Sequence, residues 1–163
     1  MNHDMLAQID RSVRVYCDGS CLLHHEQRPG GWAFLVLQGD KVLIEKSGGA
    51  YPTTNNQMEL QAAVEALAYC HRQQHKEVLL IADSKYVTNG ISAWLKGWVK
   101  RGWRTADGSP VANKDLWHDV NIYTGELNVR TVWVKGHAGH EFNERVDKAA
   151  FAMAQEMARE SGL

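Results

Sequence analysis

Five apolar residues in a row, Val78-Leu79-Leu80-Ile81-Ala82, run directly into Asp83-Ser84. A strand that exposes one face alternates apolar with polar residues, whereas a strand apolar at every position has to be covered on both faces. Helical stripes lie on either side of this run. Leu60, Ala63, Val64, Leu67 and Ala68 recur at helical spacing before it, and Ile91, Trp94, Leu95 and Trp98 after it. The segment Glu77 to Ala82 therefore reads as an interior strand, and Asp83 as a carboxylate delivered at a strand–helix junction.

The rest of the chain fits around that strand. Val13, Val15 and Cys17 alternate with Arg14 and Tyr16, the period of a half-buried strand ending near Asp18-Gly19-Ser20. Trp32 to Gln38 and Lys41 to Lys46 are two further strands joined through Gly39-Asp40, a dipeptide suited to a hairpin turn. After Gly48-Gly49 and Pro52 the first helix begins, with Thr54 or Asn56 available as its cap. Glycines 97, 102 and 108, with Pro110, predict an irregular protrusion before a short helix near Asp115 to Tyr123. Val129 to Lys135 is the last strand, 136–139 a loop, and Phe142, Val146, Ala149, Ala150, Met153 and Met157 mark a closing helix. A meander followed by alternating strands and helices gives an α/β fold, a mixed sheet with helices packed on it.

Composition narrows the function classes. With 163 residues, 44% hydrophobic and 23% charged, the chain reads as one globular domain over 1–163, with 1–11 a flexible N-terminus and 155–163 the end of the closing helix and tail. No apolar run approaches the roughly 20 residues of a membrane span, so no membrane role is expected. The polar start lacks a secretory signal, and three cysteines do not make a disulfide framework, so the expected compartment is the cytoplasm. A net charge of -1 excludes a uniformly basic polyanion binder, so nucleic-acid contact would have to come from a local patch.

Four acids stand where elements begin or end, or beside buried faces: Asp18, Glu59, Asp83 and Asp147. Each has a plainer role. Asp18 suits an Asx turn with Gly19, Asp83 a helix cap, and Asp147 a solvated helix charge. Glu59 completes a capping box if Asn56 is the cap, but lies inside the helix with no cation three or four residues away if Thr54 is. If topology gathers the four, their repulsion raises their pKa values unless a cation sits among them. Mg²⁺ is the natural occupant, being bound by a few carboxylates and substrate phosphate oxygens. Two such ions about 3.5–4 Å apart suit hydrolytic phosphoryl chemistry. A zinc site on Cys17, Cys21, His24 and His25 is disfavoured, because the spacing is not that of a finger and Cys17 should face the core.

The local words are more specific. Tyr16-Cys17-Asp18-Gly19-Ser20-Cys21, Thr53-Thr54-Asn55-Asn56-Gln57-Met58-Glu59-Leu60, Ala82-Asp83-Ser84-Lys85-Tyr86-Val87, and Lys135-Gly136-His137-Ala138-Gly139-His140 with Asn143-Glu144-Arg145-Val146-Asp147 stand in this order. From about Arg14 to Ala150 the chain resembles bacterial type 1 ribonuclease H. The resemblance implies the ribonuclease H-like fold, with a five-stranded sheet, and endonucleolytic cleavage of the RNA strand of RNA–DNA hybrids with little sequence preference. It implies Asp18, Glu59, Asp83 and Asp147 as metal ligands, and His137 as a histidine that accepts a proton or helps release product. It also implies Mg²⁺ as cofactor, two ions at turnover with Mn²⁺ as a substitute, an RNA–DNA hybrid as partner, and a monomer.

Substrate contacts are expected in three groups. Between Ser84 and Ala106 stand five basic residues and no acid, interleaved with Trp94, Trp98 and Trp103, a combination suited to phosphates and stacking. Trp94 and Trp98 also fit the apolar stripe, so both are expected to be partly core. The resemblance makes this stretch a protrusion that grips the DNA strand through Trp98, Lys100, Arg101, Trp103 and Thr105. It makes Thr54 and Asn113 phosphate contacts, and Asn55 and Asn56 readers of the 2′-hydroxyl. Trp94 and Cys21 join the substrate-binding set. The sequence departs from the family at 22–29, a turn about two residues longer, and at Lys85, where glutamine is common and a sugar contact would become a phosphate contact. A related-fold DNA nuclease such as an integrase or proofreading exonuclease is the alternative enzyme, although Asp18-Gly19-Ser20 is not the exonuclease acid pair. A noncatalytic hybrid-binding module would lack one of the acids or the histidine, and all five are present.

Overall fold

The computed structural model describes residues 12–136 and 138–162. The expectation of a flexible segment at 1–11 falls outside them, as do His137 and Leu163. The described chain forms β1 (Val13–Cys21), β2 (Gly30–Gln38), β3 (Lys41–Ala50), α1 (Asn55–Arg72), β4 (Glu77–Ala82), α2 (Lys85–Asn89), a wide turn at Gly90–Trp94, α3 (Leu95–Lys100), α4 (Lys114–Glu126), β5 (Asn128–Trp133) and α5 (Glu141–Ser161). None of these helices is long and apolar enough to cross a membrane.

The five strands make one sheet in the order β3-β2-β1-β4-β5. β1 and β2 pair antiparallel, as do β2 and β3, while β1–β4 and β4–β5 are parallel. β1 is therefore the central strand; Val13, Val15 and Cys17 are buried as its alternation suggests, while Arg14 and Tyr16 on the other face are partly covered. Val13, Val15 and Cys17 join the larger core with Leu60, Ala63, Val64 and Leu67 of α1, and with Val87, Leu95, Trp98 and Trp117. On the opposite face Val146 and Ala150 of α5 pack on Ala33, Leu35 and Leu37, with Tyr16 and Phe142 beside them. The aromatic Tyr16 tolerates the partial cover that makes it look like a surface residue in the sequence.

Several boundaries differ from the sequence reading, each for a local reason. β1 continues through Gly19 to Cys21, because Ser20 and Cys21 still pair with Gly31 and Gly30. β3 continues to Ala50, where Gly48 and Gly49 pair with Trp32 and Gly31 instead of breaking the strand. The hairpin turn at Gly39, φ 58°, is as expected. The last strand ends at Trp133, and the helix expected near 115–123 runs from Lys114 to Glu126. Asp83 is not the cap of α2; Ser84 is, its hydroxyl accepting the Val87 N–H at 3.3 Å.

The second helix is interrupted. At Gly90–Trp94 the backbone takes an i→i+5 turn, with the Leu95 N–H donating to the Gly90 carbonyl. The extra residue in that turn shifts the helical phase. Leu95 and Trp98 face inward, but Trp94, expected to be partly core, is 40% exposed. Trp117 fills the space beneath, its ring against Gly90, edge-on to Trp98 with centroids 5.1 Å apart.

Candidate active site

The four acids come from four elements. Asp18 sits on central β1 and is 2% exposed. One of its oxygens, Oδ1, accepts the Gly19 N–H at 2.8 Å. Glu59 lies in the second turn of α1, which begins at Thr54, whose hydroxyl accepts the Gln57 N–H at 3.1 Å. That cap removes the Asn56–Glu59 capping box and leaves Glu59 free to face β1. Asp83 follows β4, and Asp147 lies on α5.

Gly19 is what lets β1 and α1 meet. A Cβ at Gly19 would sit 2.2 Å from Glu59 N and 2.3 Å from the Met58 carbonyl carbon, so strand and helix touch backbone to backbone. The Gly19→Ala variant has to push the helix away and carry Glu59 with it. Overpacking of this kind costs about 1–3 kcal/mol, which lowers the melting temperature by roughly 2–12 °C for a chain of this size. Thermal denaturation checks this; an unchanged Tm would mean that the helix yields at no cost.

The result is a cluster in which one carboxylate oxygen from each of Asp18, Glu59 and Asp83 lies within 4.8 Å of the others. The Asp147 carboxyl completes the set, lying beside Asp18 and acting electrostatically on Asp83. Burial pushes the Asp18 carboxyl up to about 7, with the Asp83 charge adding to the effect. Burial and the Asp18 charge push Glu59 up well beyond the carboxylate range, and burial followed by the Asp147 charge raises Asp83. Asp18 Oδ2 and Glu59 Oε2 are enclosed with no hydrogen-bond donor. Buried polar atoms are seldom left so. Two donor-free oxygens among hard anionic groups suit an oxygen-seeking dication. Cys17, next in sequence to Asp18, points into the core with its thiol raised by burial, so it is no ligand in this arrangement.

The rim follows from the same elements. The loop at Gly136 closes on Asp83, since a Cβ there would lie 2.9 Å from Asp83 Oδ2. His137 is the next residue, outside the described ones. Trp133 donates its indole N–H to the Asp83 carbonyl at 2.9 Å, and the Lys85 ammonium lies over the Trp133 ring at 4.6 Å from its centroid. Lys85 is thus an exposed cation held beside the acids by a cation–π contact.

The other expected contacts spread outward. Thr54, Asn55 and Asn56 are exposed at the start of α1. A groove of about 330 Å³ separates Gln57 from the start of α4, lined there by Asn113, Lys114, Asp115 and Leu116. Asn113 adopts φ 56° and donates its side-chain amide to the Tyr86 hydroxyl at 3.1 Å. In the protrusion Lys100 and Arg101 are exposed, and Trp103 stacks on His118 with ring centroids 4.0 Å apart. Thr105 bonds Asp107 and, at 3.3 Å, the Ser109 carbonyl, tying the tip of the loop. Trp98 is mostly buried. Cys21 is buried, its Sγ between the Thr53 carbonyl at 3.5 Å and the Arg28 carbonyl at 3.9 Å, so its side chain ties the 22–29 turn to the start of α1.

One polar residue of the site was not singled out from the sequence. Asn143, 1% exposed, has its carboxamide beside the Asp83 carboxylate, where it favours the ionised form. The signal was available: an amide four residues before Asp147 shares its helix face.

Comparison with known proteins agrees with this geometry. Residues 10–155 match the RNase H family. Ribonuclease HI of Caulobacter vibrioides is 47% identical over 138 residues, covering 85% of this chain and 89% of that protein. Ribonuclease H of a Cyanothece species is 44% identical over 144 residues, covering 86% and 88%. Among solved structures, a type 1 RNase H with the type 2 active-site motif superposes with a TM-score of 0.79 at 30% identity, covering 90% of this chain and 73% of that one. The chain belongs to the ribonuclease H family. Within it the relatives identify a bacterial type 1 enzyme, and its activity is endonucleolytic hydrolysis of the RNA strand of RNA–DNA hybrids.

Proposed function

We propose that this hydrolysis depends on Mg²⁺ held by Asp18, Glu59, Asp83 and Asp147, with two ions at turnover and Mn²⁺ able to substitute. The observation that carries the reading is the trio of carboxylate oxygens within 4.8 Å, two of the acids keeping an enclosed oxygen without a donor. Bound Mg²⁺ supplies charge neutralisation and an activated water for in-line attack on phosphorus, yielding 5′-phosphate and 3′-hydroxyl ends.

The protein's own residues do the rest. The sheet and α1 hold three acids at fixed distances, so the site is organised before substrate arrives. His137, which follows Gly136 in the sequence, accepts a proton or helps release product. Asn55 and Asn56, exposed at the start of α1, hydrogen-bond the RNA 2′-hydroxyl, which distinguishes the strand to be cut. Thr54 and Asn113 take a DNA phosphate across the groove between α1 and α4. Lys100 and Arg101 grip the DNA strand with Trp94, Trp103 and Thr105, the buried Trp98 supporting them from beneath, while Lys85 and Cys21 contact the hybrid near the acids. The enzyme acts as a monomer in the cytoplasm, as a single domain over 1–163.

The test uses labelled RNA–DNA hybrid, duplex RNA and duplex DNA, each with Mg²⁺ or chelator. Only the RNA of the hybrid should be cut, and only with the metal. An intact hybrid in Mg²⁺ rejects the reading. Replacing both Lys100 and Arg101 with Ala should leave kcat near wild type and raise KM, with the salt dependence of log KM shallower by roughly one per cation removed. An unchanged salt slope would remove the protrusion from hybrid binding.

A further inference from the structure

Asn143 presents an imbalance that packing does not explain. It lies on the face of α5 that also carries Val146 and Ala150 into the core, and at 1% exposure it is as buried as they are. An apolar residue would fill such a place without burying polar atoms. One end of its carboxamide has a use, since Asn143 favours the ionised Asp83 carboxylate beside it and the only group that can donate in that pair is the amide nitrogen. The other end, Oδ1, is enclosed and accepts no hydrogen bond. Asp147 is one helical turn further along the same face. The orphaned acceptor therefore belongs to the same cluster as the acids, where Asp18 Oδ2 and Glu59 Oε2 are the other enclosed oxygens without donors.

We propose that Asn143 is a positioning residue of the metal site: its amide fixes the Asp83 carboxylate, and its Oδ1 accepts from a water in the hydration shell of the Mg²⁺ that the acids hold. The inference rests on the reading of the four acids as Mg²⁺ ligands. Mg²⁺ keeps several waters when bound by carboxylates, and those waters are donors only. An enclosed acceptor without a partner, close to carboxylates that are ionised and cannot donate once they hold the cation, is suited to such a water. Hydrogen bonds that orient a metal's ligands typically change its affinity by 10–100-fold when removed.

The experiment is Mg²⁺ titration by calorimetry, without nucleic acid, on the full chain and on Asn143→Ala. Hybrid affinity is measured in chelator alongside it. The expected result is a Mg²⁺ Kd raised about tenfold or more, with hybrid affinity in chelator within twofold of wild type. A Mg²⁺ Kd equal to wild type overturns the proposal, as does a loss confined to hybrid affinity, which would assign Oδ1 to a nucleotide hydroxyl. If Asn143→Ala does not fold, Asn143→Asp keeps the shape but adds a carboxylate where the amide donated. Its Tm in chelator should fall below wild type and its rise on adding Mg²⁺ should exceed that of wild type; a rise equal to wild type overturns the proposal. Absence of Mg²⁺ binding by the wild-type chain would instead defeat the underlying reading of the four acids.

Discussion

Asp18→Asn will abolish cleavage of the hybrid and at the same time make the metal-free protein more stable at pH 8. Loss of one preorganised charge partner typically costs 10²–10³-fold. Because Asp18 occupies the centre of the cluster, a fall of at least about 10³-fold in kcat is expected. The stability gain follows from the environment of the side chain. Burial, reinforced by Asp83, lifts the Asp18 carboxyl from 3.8 to about 7. An acid with a raised folded-state pKa holds its proton longer folded than unfolded, so stability falls as pH rises from about 4 to about 7 and stays lower above that. At about 1.4 kcal/mol per unit the penalty at pH 8 is of order 4 kcal/mol, an upper bound because Glu59 and Asp83 share it. An asparagine has the same shape and no charge, so the penalty is lifted without a cavity. Thermal melts in chelator should show a gain of roughly 5–10 °C at pH 8 that falls to about a third of that at pH 5 and vanishes only below about pH 4. A variant no more stable than wild type at pH 8 would mean that Asp18 is not strained by its neighbours.

Removal of divalent metal will stop the reaction reversibly, and the Mg²⁺ needed to restore it will fall as pH rises. Protons and cation compete for the same oxygens. With Asp18 titrating near 7, Mg²⁺ binding at pH 6 must displace a proton that Asp18 has largely lost by pH 8, and the upward shifts of Glu59 and Asp83 act in the same direction. Each proton displaced makes the apparent affinity about tenfold weaker per pH unit lost. The half-saturating Mg²⁺ for cleavage should therefore drop by at least about tenfold between pH 6 and pH 8, and the thermal shift on adding Mg²⁺ should grow over the same interval. Equal Mg²⁺ requirements at both pH values would place the cation elsewhere than among these acids.

Much of this site could be read before any coordinates. The unbroken apolar run at 78–82 predicted an interior strand, and β4 is paired along both edges, with Val78, Leu80 and Ala82 in the larger core and Leu79 on the other face half-buried; that placed Asp83 at the end of an interior strand. Glu59 was harder, since a capping box at Asn56 and a helix-interior position were both open. The choice was made by Thr54, whose hydroxyl caps α1, and no spacing rule distinguishes two candidate caps two residues apart. The glycines of β3 misled for a related reason. Gly48 and Gly49 look like a break, but they pair with Trp32 and Gly31, and only tertiary contact reveals that a glycine is there for closeness and not for a turn. Asn143 escaped because attention to acids passes over amides. An amide becomes part of a carboxylate site only when burial removes water as its partner, and burial is not written in the sequence.

The wide turn at Gly90–Trp94 has an implication for how such an enzyme can diversify. By inserting one residue per turn where the helix leaves the sheet, it sets the azimuth of everything downstream, Trp94 outward and Leu95 and Trp98 inward. The protrusion proposed to grip the DNA strand is thus aimed by backbone winding, while the acids are held by the strands, α1 and α5. Aim and chemistry are carried by separate parts, so side chains on the protrusion can drift toward new duplex shapes while the cleaving centre stays still.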